Sequence, residues 1–133
     1  MGSRYASAHA LVTLGDLAWR QDRPDQAMSC WRRALQLRAQ LADRRGIASC
    51  LERLAWSLAA REQFAFAACV FGAAEAQHKH LGIDLRHDER IDHVRQLTMV
   101  QRRLSIEAFA AGWSAGLVSG VDEAVSQVLE WTR

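Results

Sequence analysis

The chain has little of what β-structure, membrane segments or secretory signals require. It contains one proline and 8 glycines in 133 residues, and it has no useful run of alternating Val, Ile or Thr. No stretch approaches the roughly 18 apolar residues of a membrane-spanning helix. The N-terminus lacks the apolar core of a secretory signal. These absences argue against a β-rich fold and against membrane or secretory classes.

Cysteine is scarce as well. Cys30, Cys50 and Cys69 are far apart in the sequence and form no C-x-x-C motif. All three fall within predicted helices, so we expect reduced thiols that act as small apolar side chains. Reduced thiols are typical of cytoplasmic proteins, and the chain is therefore predicted to be cytoplasmic.

Basic residues are numerous but weakly organised. Lys79 is the single lysine beside sixteen arginines, the net charge is +2, and acidic residues are interspersed throughout. The arginine excess is typical of a GC-rich coding sequence, and no basic stripe suited to nucleic acid appears. The arginine pairs 32–33, 44–45 and 102–103 lack interleaved aromatic residues, so we expect solvated faces or carboxylate pairing there and no direct contact with nucleic acid.

What the chain does contain is alanine, 23 residues of it, and a hydrophobic fraction of 50%. This composition favours a packed, all-α domain. Two copies of one helical pattern follow each other at a constant offset: Leu11-x-x-Leu14-Gly15 with Ala27-x-x-x-Trp31-x-x-Ala34, and Leu51-x-x-Leu54-Ala55 with Ala67-x-x-x-Phe71-x-x-Ala74. Small residues let helices approach closely and the aromatic ring fills the space between them. The pattern predicts helical hairpins that stack on one another.

The chain is predicted to be a single domain, and its turn and helix-end residues set the boundaries within it. Three hairpins are expected at about residues 4–42, 47–82 and 88–116, followed by a capping helix at about 121–132. Pro24 suits a first helical turn, Gly46 is the expected turn residue between the first two hairpins, and Gly82 is placed to end a helix. Asp88 is the expected cap of the fifth helix. The apolar face predicted for that helix comprises Ile91, Val94, Leu97, Val100 and Leu104.

Phe109 and Trp113 repeat the aromatic spacing and indicate a third, eroded repeat. Trp31, Phe71, Phe109 and Trp113 are predicted to be hairpin core.

The repeated pattern resembles the tetratricopeptide repeat, although its period is longer than the usual length of about 34 residues. Two stretches are similar to the C-terminal repeat region of large bacterial regulators. They are Gly72-Ala73-Ala74-Glu75-Ala76 with Leu81-Gly82, and Glu107-Ala108-Phe109-Ala110-Ala111-Gly112-Trp113 with Asp122-Glu123-Ala124. Those regulators combine a signal-transduction ATPase with repeats and often a LuxR-type or other DNA-binding domain. The chain has no G-x-x-x-x-G-K-[ST], so the resemblance implies the sensor or scaffold portion.

The resemblance also implies a binding groove lined by the first helix of each hairpin. Two tryptophans with a neighbouring arginine make a plausible interface hot spot, since Trp and Arg dominate interface energetics. The alternative is that both tryptophans are buried between hairpins or against a neighbouring domain outside this sequence. The groove residues predicted on this basis are His9, Val12, Asp16, Trp19, Arg20, Glu52 and Trp56.

Neither catalysis nor metal binding is predicted. His78, His80, His87 and His93 cluster with Asp84, Asp88 and Asp92, but only Asp88 and Asp92 have the i, i+4 spacing of helical metal ligands, and no H-E-x-x-H occurs. No local signature supports a cysteine nucleophile. We therefore expect no catalytic residues, no metal site, no cofactor and no enzymatic activity.

Two functional hypotheses follow from the sequence. In the first, the domain is an interaction module of a bacterial transcriptional or signalling regulator, and its groove binds a protein, a peptide, a small effector or another domain of the same chain. In the second, it is an oligomerisation scaffold without a ligand, because the open end of a repeat stack can self-associate.

Overall fold

The computed structural model describes residues 3–85 and 87–133, except the side chains of residues 87 and 88. Over this part of the chain the regular structure is entirely helical, which confirms the all-α prediction. The helices are Arg4–Arg20 (α1), Pro24–Gln40 (α2), Arg44–Ala60 (α3), Phe64–Leu81 (α4), His87–Arg103 (α5), Ile106–Ser119 (α6) and Val121–Trp131 (α7).

The first four helices are joined by three turns of one type. Asp22, Ala42 and Glu62 adopt the left-handed conformation at φ 60°, 52° and 61°. After each of them, the next N–H bonds back to a carbonyl of the preceding helix, for example from Asp43 N–H to the carbonyl of Arg38 at 2.9 Å. This is the Schellman arrangement, which satisfies carbonyl groups at a helix end. Each copy of the sequence repeat is therefore built from two similar helix-and-turn units.

Gly46 was expected in a turn, and this expectation is wrong. It lies in the first turn of α3, where Asp43 caps its N–H at 3.1 Å, and the left-handed turn residue is Ala42. A side chain at position 46 would collide with the guanidinium arm of Arg38. Gly82 does end α4 in the left-handed conformation, as predicted. The expected cap Asp88 lies outside the described side chains.

Helices α1 to α4 pack in sequence, each against the next. Trp31 and Phe71 are fully buried at the predicted core positions. Gly15 lies directly against the Trp31 indole, and a Cβ there would overlap the ring. The repeated small-and-aromatic spacing therefore marks the contact between neighbouring helices, as the pattern predicts.

The last three helices attach to this four-helix layer in different places. Helix α6 packs mainly on α4, α5 contacts α3 and α4, and α5 and α6 make few contacts with each other. Helix α7 contacts α2, α3 and α4; the Arg32 guanidinium donates to the Thr132 hydroxyl at 3.1 Å, and the Phe66 and Trp131 rings meet edge to face. The predicted core residues Phe109 and Trp113 are only partly buried on α6.

Candidate functional site

Three tryptophans form a cluster where α1, α2 and α3 meet. The ring centroids of Trp19, Trp31 and Trp56 lie 5.6, 6.0 and 5.8 Å apart, in tilted and edge-to-face geometries that favour aromatic attraction. Gly15 provides the space that the Trp31 ring occupies. The cluster forms an apolar wall beneath a set of charged side chains.

Asp16 connects this wall to a buried arginine. Its carboxylate accepts the Trp31 indole N–H at 3.0 Å and two guanidinium N–H groups of Arg53, at 2.7 and 3.2 Å. Arg53 also donates to the hydroxyl of Ser49 at 2.6 Å, and its side chain is only 6% exposed. Burial lowers the pKa of the Arg53 guanidinium, but the bond to Asp16 and the nearby carboxylates outweigh this and the net pKa is raised. Arg53 therefore stays charged.

A cleft of about 600 Å³ opens beside this pair between α1, α3 and α5, with Arg38 of α2 at its edge. Its walls combine apolar and charged side chains. Its lining comprises His9, Val12, Thr13, Asp16, Leu17, Arg20, Arg38, Ser49, Arg53 and Glu89.

The structure brings part of the predicted groove set together. His9, Val12, Asp16 and Arg20 line the cleft. Trp19 joins Asp16 and Arg20 at an adjoining recess of about 20 Å³, which has room for about one water molecule.

Glu52 and Trp56 differ, because they are only 2% and 4% exposed. Trp56 contributes to the wall of the small recess and lies against Trp19 and Trp31. Helix α5 supplies the facing wall of that recess, through Glu89 and Asp92. These two predicted groove residues therefore belong to the packed interior beneath α5.

Glu52 pairs with a histidine that sequence reasoning did not select. The Nδ1 atom of His93, on α5, lies 2.5 Å from a carboxylate oxygen of Glu52, and the imidazole meets the Phe71 ring edge to face. Burial lowers the pKa of the His93 imidazole, but the adjacent Glu52 carboxylate and the charge of Glu75 outweigh this effect, so the net pKa is raised. Protonation of His93 is therefore favoured by the buried carboxylate beside it.

Sequence reasoning also missed Arg53 and Glu89. A charged residue in a helix reads as solvent-facing, and Arg53 is buried only because Asp16, far earlier in the chain, neutralises it. For His93 a usable signal existed: it lies four and seven residues before Leu97 and Val100, on one helical stripe.

The arginine pairs contact the chain itself. Arg32 donates to the carbonyl of Leu129 at 3.2 Å, and Arg44 lies 3.1 Å from the carboxylate of Asp122. The Arg103 guanidinium lies over the Phe64 ring, 4.6 Å from its centroid. One member of each pair therefore has an intramolecular partner.

The described residues hold no group of three His, Cys, Asp or Glu side chains placed to bind a metal ion. Burial raises the pKa of the Cys50 thiol, a change that Arg38 opposes, and burial likewise raises the pKa of Cys69. Neutral thiols of this kind are poor nucleophiles. In the same part of the chain, every helix is too short or too polar to cross a membrane.

No family model, curated protein or solved structure matches the chain. The candidate site therefore rests on its own geometry.

The His93–Glu52 pair predicts a pH-dependent stability. Because the pKa of His93 in the folded chain lies above its ordinary value of 6.5, the contribution of the pair is complete below about pH 6.5 and disappears as the pH rises through the folded-state pKa. We expect the difference in the free energy of unfolding between the natural chain and His93→Gln to shrink as the pH is raised from about 6 to about 9. Urea unfolding of both proteins at each pH measures it. Taking the difference cancels the other histidines, and a constant difference would contradict the assignment.

Proposed function

We propose that the chain is a helical interaction module whose cleft between α1, α3 and α5 binds a segment of a partner protein, another domain of a parent chain or a small effector. The cleft itself carries this proposal. Its volume of about 600 Å³ suits a short peptide or small molecule, and its lining combines apolar and charged groups. Arg20 supports it further, because it is an exposed cation that lines the cleft.

The proposal places this module in the sensor or scaffold part of a bacterial transcriptional or signalling regulator, as a tetratricopeptide-like stack. The support is the sequence resemblance of residues 72–82 and 107–124, together with the two repeat copies that begin at Leu11 and Leu51. Three free cysteines support a cytoplasmic location. In such a regulator, occupancy of the cleft would be communicated to the other domains.

Selection from a displayed library of random peptides tests the cleft. Selected peptides are synthesised and their dissociation constants measured by fluorescence anisotropy with the natural chain. Arg20→Glu should weaken binding of the selected peptides by about tenfold or more, since it reverses a charge at the cleft. Arg4→Glu is the matched control on the same helix, at an exposed position away from the cleft. Failure to select any peptide, or equal effects of the two variants, would overturn the proposal.

An oligomerisation scaffold is the second candidate, and the outer stripe of α1 favours it. Leu14 and Leu17 are 54% and 52% exposed, whereas Leu54 and Ser57, their counterparts in the second repeat copy, are buried on α3. The Arg38 guanidinium reaches the Gly46 carbonyl and the Cys50 sulfur, which places that α3 stripe against α2. Among the described residues nothing covers the α1 stripe in the same way.

Light scattering over a concentration series separates the two candidates. A scaffold requires a mass above 14.9 kDa that falls to this value in Leu14→Glu. The control is Val118→Glu, an exposed apolar position on α6. A constant monomer mass would exclude the scaffold.

A further inference from the structure

Over its first half, helix α5 turns polar side chains inward and apolar side chains outward. Ile91 and Val94 are 48% and 54% exposed. On the opposite side His93 contacts Glu52 of α3, and Glu89 and Asp92 face the recess beside Trp56. Burial of apolar surface therefore does not hold this half of α5 in place; polar contacts do.

The second half of α5 is held by apolar contacts on the same stripe. Leu97, Val100 and Leu104 follow His93 by four, seven and eleven residues, and such spacings share one helix face. Val100 is fully buried, and Leu97 and Leu104 pack against the core. His93 and three apolar anchors thus form a single row along the inner face of α5.

The surface beneath this row is suited to a helix with that pattern. This surface carries one buried carboxylate, Glu52 on α3. A buried carboxylate needs a cation beside it to offset the cost of its desolvation. The Phe71 ring lies next to it, and Glu75 adds a second negative charge from α4. Farther along α5, Val100 is fully buried and belongs to the hydrophobic core.

We propose that α5 is the resident occupant of a helix-binding groove, and that the partner is an amphipathic helix whose cationic side chain replaces His93 on Glu52 and whose apolar residues follow at +4, +7 and +11. This inference goes beyond the proposed function, because the partner would take the place of α5, one wall of the cleft, instead of entering the cleft. Helix-in-groove recognition uses anchors at such spacings. Because the incoming helix would make the same contacts that α5 gives up, α5 competes with the partner and sets its apparent affinity.

A peptide of residues 87–104 supplied in trans tests the proposal. The acceptor is the full chain carrying His93→Ala, whose own α5 is weakened as a competitor. The probes are the natural peptide, its His93→Arg form and its His93→Ala form, each labelled for anisotropy. We expect the histidine peptide at pH 6 and the arginine peptide to bind about thirtyfold more tightly than the alanine peptide, since removing one partner of a buried charge pair costs at least that much.

The acceptor that carries Glu52→Gln in addition to His93→Ala is the control, and it should bind all three peptides alike. Equal binding of the alanine, histidine and arginine peptides to the first acceptor at pH 6 would overturn the proposal, as would no binding. If the library peptides still bind in an Arg20-dependent way, only this inference fails. If neither kind of peptide binds, the proposed function fails as well.

Hydrogen exchange of the unmodified chain provides an independent measurement that needs no acceptor variant. A releasable occupant opens without global unfolding, so amides at 90–100 should exchange about tenfold or more faster than amides at 51–58 of α3. If both segments exchange at the same rate, α5 leaves only when the whole domain unfolds, and the proposal is wrong.

Discussion

Asp16→Ala should lower the free energy of unfolding by about 3 kcal/mol, because it leaves the Arg53 charge buried without its partner. The Arg53 side chain is 6% exposed, and it forms an ion pair with Asp16 at 2.7 Å. The substitution also removes the acceptor of the Trp31 indole N–H. Asp16 itself is 28% exposed, so water can reach the vacated position and reduce the loss below the about 5 kcal/mol of a fully enclosed pair. Urea unfolding monitored by circular dichroism measures the change.

Asp25→Ala is the matched control for this prediction. Asp25 pairs with Arg61 at 2.8 Å, a distance similar to that of the Asp16–Arg53 pair, but their side chains are 85% and 45% exposed. An exposed pair contributes about 0.5 kcal/mol, so its loss should be small. Arg53→Met in the Asp16→Ala background should restore part of the lost stability, because it removes the unpaired charge. A loss at Asp16 no larger than that at Asp25 would show that Asp16 does not hold the Arg53 charge.

Comparison of the two repeat copies shows which features of the fold could be predicted from the sequence. Trp31 and Phe71 were predicted as core and are fully buried, because their spacing to small residues directly encodes the contact between neighbouring helices. Helix ends were predicted well where one residue type determines them, as at Pro24 and Gly82. They were predicted less well at Ala42, because alanine carries no turn signal although it adopts the left-handed conformation there.

Helix α5 shows why the site could only be predicted in part. Its apolar residues Ile91, Val94, Leu97 and Val100 recur every three residues, and three residues fall about 60° short of a full turn. The row therefore winds around the helix, and Ile91 lies about 180° from Val100. A count of apolar residues treats them as one face. The structure instead divides them, since Val100 is buried and Ile91 is exposed.

The charged pairs of the site could not be predicted from the sequence for a different reason. Asp16 with Arg53, and Glu52 with His93, are pairs whose members lie on different helices, far apart in the sequence. Each partner alone reads as a solvated residue on an amphipathic helix. Their burial results from the mutual placement of α1, α3 and α5, which local periodicity does not encode.

Small residues at the contact between α4 and α6 lead to the second large effect. A Cβ at Gly116 would overlap the carbonyl oxygen of Cys69, and a Cβ at Gly72 would overlap the carbonyl oxygen of Trp113. Both obstacles are helical backbone, which cannot rotate away as a side chain can. The two glycines therefore set how closely the helices approach.

Gly116→Ala should consequently lower the free energy of unfolding by about 3 kcal/mol, the upper range for overpacking, even though alanine favours an isolated helix by about 1 kcal/mol. Gly112→Ala is the matched control one turn earlier. A Cβ there would lie 3.1 Å from the Ala65 carbonyl oxygen and 3.1 Å from the Ala68 Cβ, so a small shift accommodates it. We expect its stability to stay within about 1 kcal/mol of the natural chain, because helix propensity offsets the crowding. Urea unfolding of both variants is the measurement. Equal losses would mean that α6 lies farther from α4 at position 116, whereas a large loss at 116 alone would confirm that backbone contact joins α6 to α4.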